Sequence, residues 1–406
     1  MNRILEGIRV IDFTIGHHGP MATAMLGDLG AEVIKVEPPE GEAMRVLYQI
    51  SGISSRLPGG RNFVFENCNR NKKSLAVDLK SEKGKEIMYR LVDKSDIFAT
   101  NYLSKAVAQL GLDYETLRRR NPKIIYAGAN AWGPLGPDAD KPGWDYAGMA
   151  RSGFMYGFGA PDGPPQKATG GIADQISAII LAYGLLVAIV ARERLGIGQK
   201  VNTSMLGSMM ALQELNVAGR LMVGSELLRL DRKKMPTPLY NHYECADGKW
   251  LVLAMLQSER YWPYLVKAMG LPELEKDPRF DSAEKREENC VELVSIFDSV
   301  FASKNRDEWI KIFNESEEEL IYTELNPMSE VVNDEQVLTN GYVMDFDHPV
   351  LGQIRVPGFP VALSETPLRR ELPAPDFAEH TEQILTETLD YTWEEVSELK
   401  IQKVIP

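Results

Sequence analysis

Apolar and polar positions alternate along the first 130 residues in blocks that change period. Residues 8–14 (IRVIDFT) form a short apolar run, which predicts a buried strand. The loop GHHGP and the small-residue helix MATAMLGDLGA follow, and then a second strand, AEVIKVEPP, ends at Pro38-Pro39. The same alternation recurs in SLAVDL, in a helix that begins at Ser81 as N-cap and carries Ile87, Leu91 and Val92 on one face, and in the strand SDIFATNY. A short helix, YETLRRRN, and the strand KIIYAGANAWG complete the series. Repeated strand–helix–strand units predict a parallel, Rossmann-like α/β sheet.

From Trp132 to Gly171 the pattern lapses into a Gly- and Pro-rich stretch, which reads as a functional loop. A long apolar helix runs from Asp174 to about Arg194. Its most apolar part, Ile176 to Ala191, is expected to be too short to span a bilayer and to lie in the core. GQKVNTSMLGSMMALQEL predicts one more strand and helix. A basic, Pro-interrupted segment at Leu228–Pro238 marks a boundary, after which YNHYECADGKWLVLAM predicts two strands joined at Asp247-Gly248. Helices follow to about Phe313, and an acidic helical tail closes the chain. The expected organisation is a large Rossmann-like domain over 1–225, completed by 330–406, and a small α+β domain over 226–329.

Composition narrows the function classes. The 406 residues carry a net charge of −13, which argues against a nucleic-acid or acidic-membrane partner. The N-terminus shows no apolar signal-peptide segment, so a cytoplasmic protein is expected. Cys68, Cys245 and Cys290 are far apart and read as buried free thiols rather than a disulfide or zinc framework. The adjacent His17-His18 lack further ligand spacing, and no metal is expected. There is no P-loop, no dinucleotide fingerprint and no GxSxG elbow.

Asp174 is the leading chemical candidate. It follows Gly170-Gly171 at the start of an apolar helix, where an aspartate commonly serves as N-cap. The same place suits a carboxylate nucleophile, with glycine backbone nearby to approach a substrate and supply oxyanion donors. The residues alone leave both readings open. The basic run NRNKKSLAVDLKSEKGK is either a solvated loop or a phosphate site.

An ordered series of segments resolves the choice by resemblance. RVIDFT with HHGPMATAMLGDLGAEVIKVEPP, NRNKKSLAVDLKSEKGKEI, DIFATNY, GLDYETLRRRNPKIIYAGANAWGPLGP, PGWDYAGMARSG and ADQISA with RERLGIGQKV resemble class III CoA-transferases across the first 220 residues. The resemblance implies an enzyme that moves CoA from an acyl-CoA donor to a free carboxylic acid through aspartyl anhydride and thioester intermediates, with Asp174 as nucleophile. It implies substrate or oxyanion roles for His17, Trp144, Asp145, Gly170 and Gly171, and CoA contacts from Val77, Lys80, Asn101, Tyr102 and Ala106. Pro38-Pro39 and Gln109 stand where the family often has basic residues, and the Gly-run lid near 228–240 is absent. Arg45, Arg70, Lys72 or Lys73 are therefore the candidate compensating cations, Arg45 and Lys73 foremost. No permanently bound cofactor is implied, only CoA thioesters as substrates. The family is known for interlocked dimers, so a homodimer or a heteromer with a related subunit is expected. The related α-methylacyl-CoA racemases use a histidine where this chain has Trp144, which has no basic nitrogen. A noncatalytic CoA-binding partner subunit would have no need of Asp174. DKPGWDY and KSEKGK look closest to enzymes of 2-hydroxy and aryl acids. Trp132, Trp144, Tyr146, Phe154, Met155, Tyr156 and Phe158 either line an acyl pocket or pack beneath the loop.

Overall fold

The computed structural model describes residues 3–50 and 52–406. They divide into two compact units, one running to Phe158 and resuming over Gln166–Leu227 and Met344–Pro406, the other formed by Gly159–Pro165 and Leu228–Val343.

The larger unit is built on strands β1 (Arg9–Phe13), β2 (Glu32–Glu37), β5 (Lys72–Ala76), β6 (Ile97–Thr100), β7 (Ile125–Asn130) and β8 (Lys200–Ser204). A two-residue hairpin, β3 (Gln49–Ile50) with β4 (Ile53–Ser54), lies outside this sheet. The sheet order is β5-β2-β1-β6-β7-β8 and all its pairings are parallel. Chain order thus reverses between β1 and β6. In doubly wound sheets such a switch opens a crevice at the carboxyl ends of the two strands.

Helices cover both faces because each strand is apolar on both sides. Val10, Val33, Ile97 and Ile125 pack against α1 (His18–Asp28) and α7 (Ile172–Leu195), through Met21, Leu26, Leu181 and Leu185. α2 (Phe63–Cys68) joins this face through Val64 and Cys68. On the other side Ile11, Ile34, Phe98 and Tyr126 meet α3 (Glu82–Asp93), α4 (Ser104–Gln109), α5 (Tyr114–Arg120) and the tail residues Ile384, Leu389, Val396 and Leu399. Ser81 caps α3, its hydroxyl accepting from Gly84 N at 3.0 Å.

The Gly-rich stretch holds α6 (Asp145–Arg151), and after β8 come α8 (Met205–Leu212) and α9 (Glu214–Val223). α7 is longer than the apolar run suggested. At 24 residues it is long and apolar enough to cross a membrane by length and composition, correcting the expectation that it is too short. Its Ala178, Leu181, Ala182, Leu185, Ala188 and Ile189 nevertheless pack in the core.

The smaller unit has the antiparallel strands β9 (Tyr240–Glu244), β10 (Trp250–Ala254) and β11 (Tyr322–Leu325) with β10 central. Helices α10 (Ser258–Ala268), α11 (Ala283–Glu288), α12 (Cys290–Phe301) and α13 (Arg306–Asn314) accompany them. Its core is aromatic: Tyr243 stacks on Phe301 at 4.9 Å, and Trp309 adjoins Phe301 at 5.2 Å. Cys68 and Cys245 are buried, whereas Cys290, at the start of α12, is half-exposed.

Candidate active site

The loop Thr14–His17 links β1 to α1 at the carboxyl end of β1, where the strand order reverses. Asn101, just past β6, accepts from Ile15 N at 2.9 Å and donates to Ile15 O at 2.6 Å. Glu42 Oε1 accepts from Gly16 N at 2.7 Å. Lys35 donates to Thr14 O at 3.1 Å and forms a buried ion pair with Glu42. The loop backbone is therefore tied from three directions, and it sets His17 as the N-cap of α1.

α7 brings its amino end to the same crevice. Asp174 is not its N-cap. That position is held by Gly171, with φ of +68°, preceded by Gly170 with φ of +99°. A side chain at either would be strained in this left-handed backbone, and the pair lets the loop enter the helix abruptly. Asp174 lies inside the first turn, and a second carboxylate does the capping. Asp145 Oδ1, from the first turn of α6, accepts from Ala173 N at 2.8 Å and from Asp174 N at 3.2 Å. Two of the free N–H groups of α7 are thus satisfied across gaps of 28 and 29 residues in sequence.

This leaves the Asp174 carboxyl without a capping role. Burial raises it to about 6, the neighbouring His17 ring opposes the rise, and the negative charge of Asp145 adds to it. His17 Nε2 lies 2.6 Å from Gln175 Nε2, a contact that nothing in the sequence signalled. The adjacent His18 has separate partners, Thr203 Oγ1 at 3.3 Å and the backbone of Ser177. Burial brings it down to about 4, so it is neutral near pH 7.

The remaining expected residues divide sharply. Asn101 reaches the His17 loop, and Tyr102 stacks on Phe13 at 4.6 Å. Val77 is buried at the carboxyl edge of β5, its N–H donating to Glu37 O at 2.9 Å. Lys80 is exposed in the turn beyond it and Ala106 is half-exposed on α4.

Each of the candidate compensating cations has a carboxylate partner. Arg45 gives Nε and Nη2 to the two oxygens of Glu37, both at 2.7 Å, and Nη1 to Pro375 O at 3.1 Å. Lys73 pairs with Glu32 at 2.7 Å at the amino end of the sheet, away from the crevice. Arg70 is bound to Asp28 at 2.6 Å and 3.0 Å, and Lys72, fully buried, to Asp12 at 2.6 Å. The basic run divides: Arg70, Lys72 and Lys73 are paired with carboxylates at and before β5, whereas Lys80 and Lys83 are exposed beyond it.

The loop aromatics also split. Met155 and Phe154 pack with Met149, Ala173, Met205 and Met209 beneath the amino end of α7, whereas Trp144, Tyr146 and Tyr156 are exposed. Trp132 lies beneath Arg151, whose guanidinium is 4.8 Å from its ring. Phe158 contacts Phe154 at 4.8 Å.

The profile described as CoA-transferase family III matches residues 5–381. Succinyl-CoA:glutarate CoA-transferase of Mus musculus is 33% identical over 403 residues, spanning 99% of this chain and 90% of that protein. Cinnamoyl-CoA:phenyllactate CoA-transferase of Clostridium sporogenes is 30% identical over 408 residues, spanning 99% and 97%. The crystal structure of a CAIB/BAIF family protein from Brucella suis superposes with a TM-score of 0.83 at 27% identity, covering 95% of this chain and 100% of that one.

Proposed function

The chain belongs to CoA-transferase family III, and on that premise we propose that Asp174 is the nucleophile of a reversible CoA transfer between an acyl-CoA and a free carboxylic acid. The observation that carries this reading is the Asp174 carboxyl itself. It is withdrawn from water at a helix amino end, its capping duty is taken by Asp145, and its ionisation is raised to about 6. A carboxylate so placed is ionised at neutral pH and poorly solvated, which favours attack on a thioester.

In the forward sequence an Asp174 oxygen attacks the acyl carbon, the C–S bond breaks, and CoA leaves as thiolate. The thiolate attacks Cγ of the resulting anhydride and releases the donor acid, leaving an aspartyl-CoA thioester. The acceptor carboxylate displaces CoA from that thioester to form a second anhydride. CoA thiolate then attacks the acceptor acyl carbon, which frees the new acyl-CoA and regenerates Asp174. His17 faces the reacting carboxyl from the loop after β1, and Gly170 and Gly171 admit the substrate to the backbone beside it. Trp144 flanks the site on the acyl side. Val77, Lys80, Asn101, Tyr102 and Ala106, along the carboxyl edge of the sheet, are read as the CoA-contacting set.

The acceptor is read as a dicarboxylic, 2-hydroxy or aryl acid, in line with the glutarate and phenyllactate in the names of the relatives. The exposed Trp144 and Tyr146 beside Asp145 favour a bulky apolar acid among these. The exposed apolar stripe of α7, with Ile179, Tyr183, Val187 and Val190, supports an interlocked dimer. The chemistry is read as belonging to a large domain of 1–225 with 330–406, beside a small domain of 226–329, in a cytoplasmic enzyme without a resident cofactor.

The test is mass spectrometry of protein incubated with a panel of acyl-CoA donors, including succinyl-CoA, and trapped with hydroxylamine. The modification is expected on Asp174, and Asp174→Ala is expected to lower transfer on the order of 10⁴-fold or more. Near-normal turnover by the variant would refute the assignment.

A further inference from the structure

His17 and Gln175 meet at 2.6 Å through Nε2 of each side chain. With the Gln175 amide nitrogen turned to the ring, that nitrogen can only donate, so Nε2 of the neutral imidazole accepts and the ring proton sits on Nδ1. The basic lone pair of His17 is thereby occupied. The ring has little freedom to escape through its backbone, because Gly16 N is held by Glu42 and Ile15 by both ends of the Asn101 amide. Gln175 directly follows Asp174 in the first turn of α7, so the amide that occupies His17 is carried on the same helical turn as the reacting carboxyl.

An aspartyl anhydride is open to water as well as to thiolate. A neutral imidazole beside it is a ready general base, whereas an amide-blocked one is not. We infer that Gln175 masks the lone pair of His17 and so holds back a latent acyl-CoA hydrolase activity of the same site. This rests on the reading of Asp174 as nucleophile. In the unmasked site a water oxygen attacks the acyl carbon of the anhydride while its proton passes to His17 Nε2. The bond from the acyl carbon to the Asp174 oxygen breaks, and Asp174 leaves as carboxylate. The proton on His17 passes to the departed CoA thiolate. The sum is acyl-CoA plus water giving acid plus CoA thiol, with no other reactant. Gln175 is on this account a positioning residue, acting through His17.

The experiment compares wild-type protein with Gln175→Leu, Gln175→Met and the double variant Gln175→Leu with His17→Asn. Release of free thiol from the acyl-CoA panel is measured without any acceptor acid and divided by the amount of hydroxylamine-trapped Asp174 adduct in the same sample. Both single variants are expected to raise this ratio on the order of tenfold or more, and His17→Asn to return it to the wild-type value. A purely structural role for Gln175 would lower both quantities together and leave the ratio unchanged. An unchanged ratio with the adduct still formed, or a raised ratio that survives His17→Asn, overturns the inference while leaving Asp174 as nucleophile. An adduct present in wild type but lost in both single variants also overturns it, by assigning Gln175 to acylation. Absence of the adduct from wild type with every donor overturns the nucleophile assignment, and the masking role with it.

Discussion

Two carboxylates in the larger unit are withdrawn from water and have opposite fates. Asp12, on β1, is fully buried with Lys72 at 2.6 Å, Thr23 Oγ1 at 3.0 Å and the Thr14 hydroxyl around it. Burial alone would push it up, but Lys72 and Lys35 outweigh that and hold it below the ordinary carboxylate range. Asp174, at the amino end of α7, has no lysine or arginine against it among the described residues; burial outweighs His17, Asp145 adds to it, and the carboxyl rises to about 6. Burial with pairing holds Asp12 ionised within the core, whereas burial with an adjacent like charge leaves the Asp174 carboxylate uncompensated.

The pairing at Asp12 is the stronger structural commitment, so breaking it has the largest expected effect. Lys72→Met leaves Asp12 buried with half its compensation gone, and is expected to cost about 3–5 kcal/mol in denaturant unfolding. A loss below about 1 kcal/mol would show that Lys35 alone suffices.

Asp174→Asn reverses the sign. The folded-state value, raised to about 6, lies above the ordinary 3.8, so the native protein holds its proton between these pH values while the unfolded chain has lost it. The resulting penalty on the fold is absent below pH 4, builds between pH 4 and 6, and is complete above. The variant is therefore expected to unfold at higher temperature than wild type at pH 7.5, by a gain on the order of 1 kcal/mol, and to lose that advantage at pH 4. An equal melting difference at both pH values would remove the unpaired-carboxylate account.

The smallest effect separates the two carboxylates at the amino end of α7, Asp174 of that helix and Asp145 of α6. Single-turnover acylation of wild type is expected to rise with pH through a midpoint of about 6 as Asp174 ionises. Asp145→Ala removes the neighbouring negative charge and should move that midpoint down by less than about one unit, while costing about 1 kcal/mol of stability for the lost cap. An upward shift would mean that Asp145 supports the ionised form of Asp174 through the helix rather than opposing it.

Much of the fold was legible because local signals agreed with it. Short apolar-rich segments marked the parallel strands of four to six residues, Ser81 announced α3, and Gly170-Gly171 announced the entry to α7. Asp174 could be picked out as a candidate for the same reason. Its chemical status could not, since an aspartate three residues into a helix reads as a cap until the cap is seen to come from Asp145 on another helix. Arg45, Arg70, Lys72 and Lys73 looked like available cations because charge is visible in sequence and partners are not. Glu32, Glu37, Asp28 and Asp12 reach them only once β1, β2 and α1 are assembled beside β5. Gln175 and Glu42 were overlooked because neither carries a motif, and their importance comes from a histidine and a loop 158 and 26 residues away.

By itself, then, the amino-acid sequence determined the elements, the parallel arrangement they favour and the identity of the carboxylate at the head of α7, all of which depend on side-chain periodicity and backbone preferences over a few residues. Only the tertiary structure decided which charges are paired, which helix end is capped and by whom, and which lone pair of His17 is occupied. Those properties depend on distances of 2.6–3.2 Å between residues far apart in the chain, and on the exclusion of water that gives those distances their energetic weight.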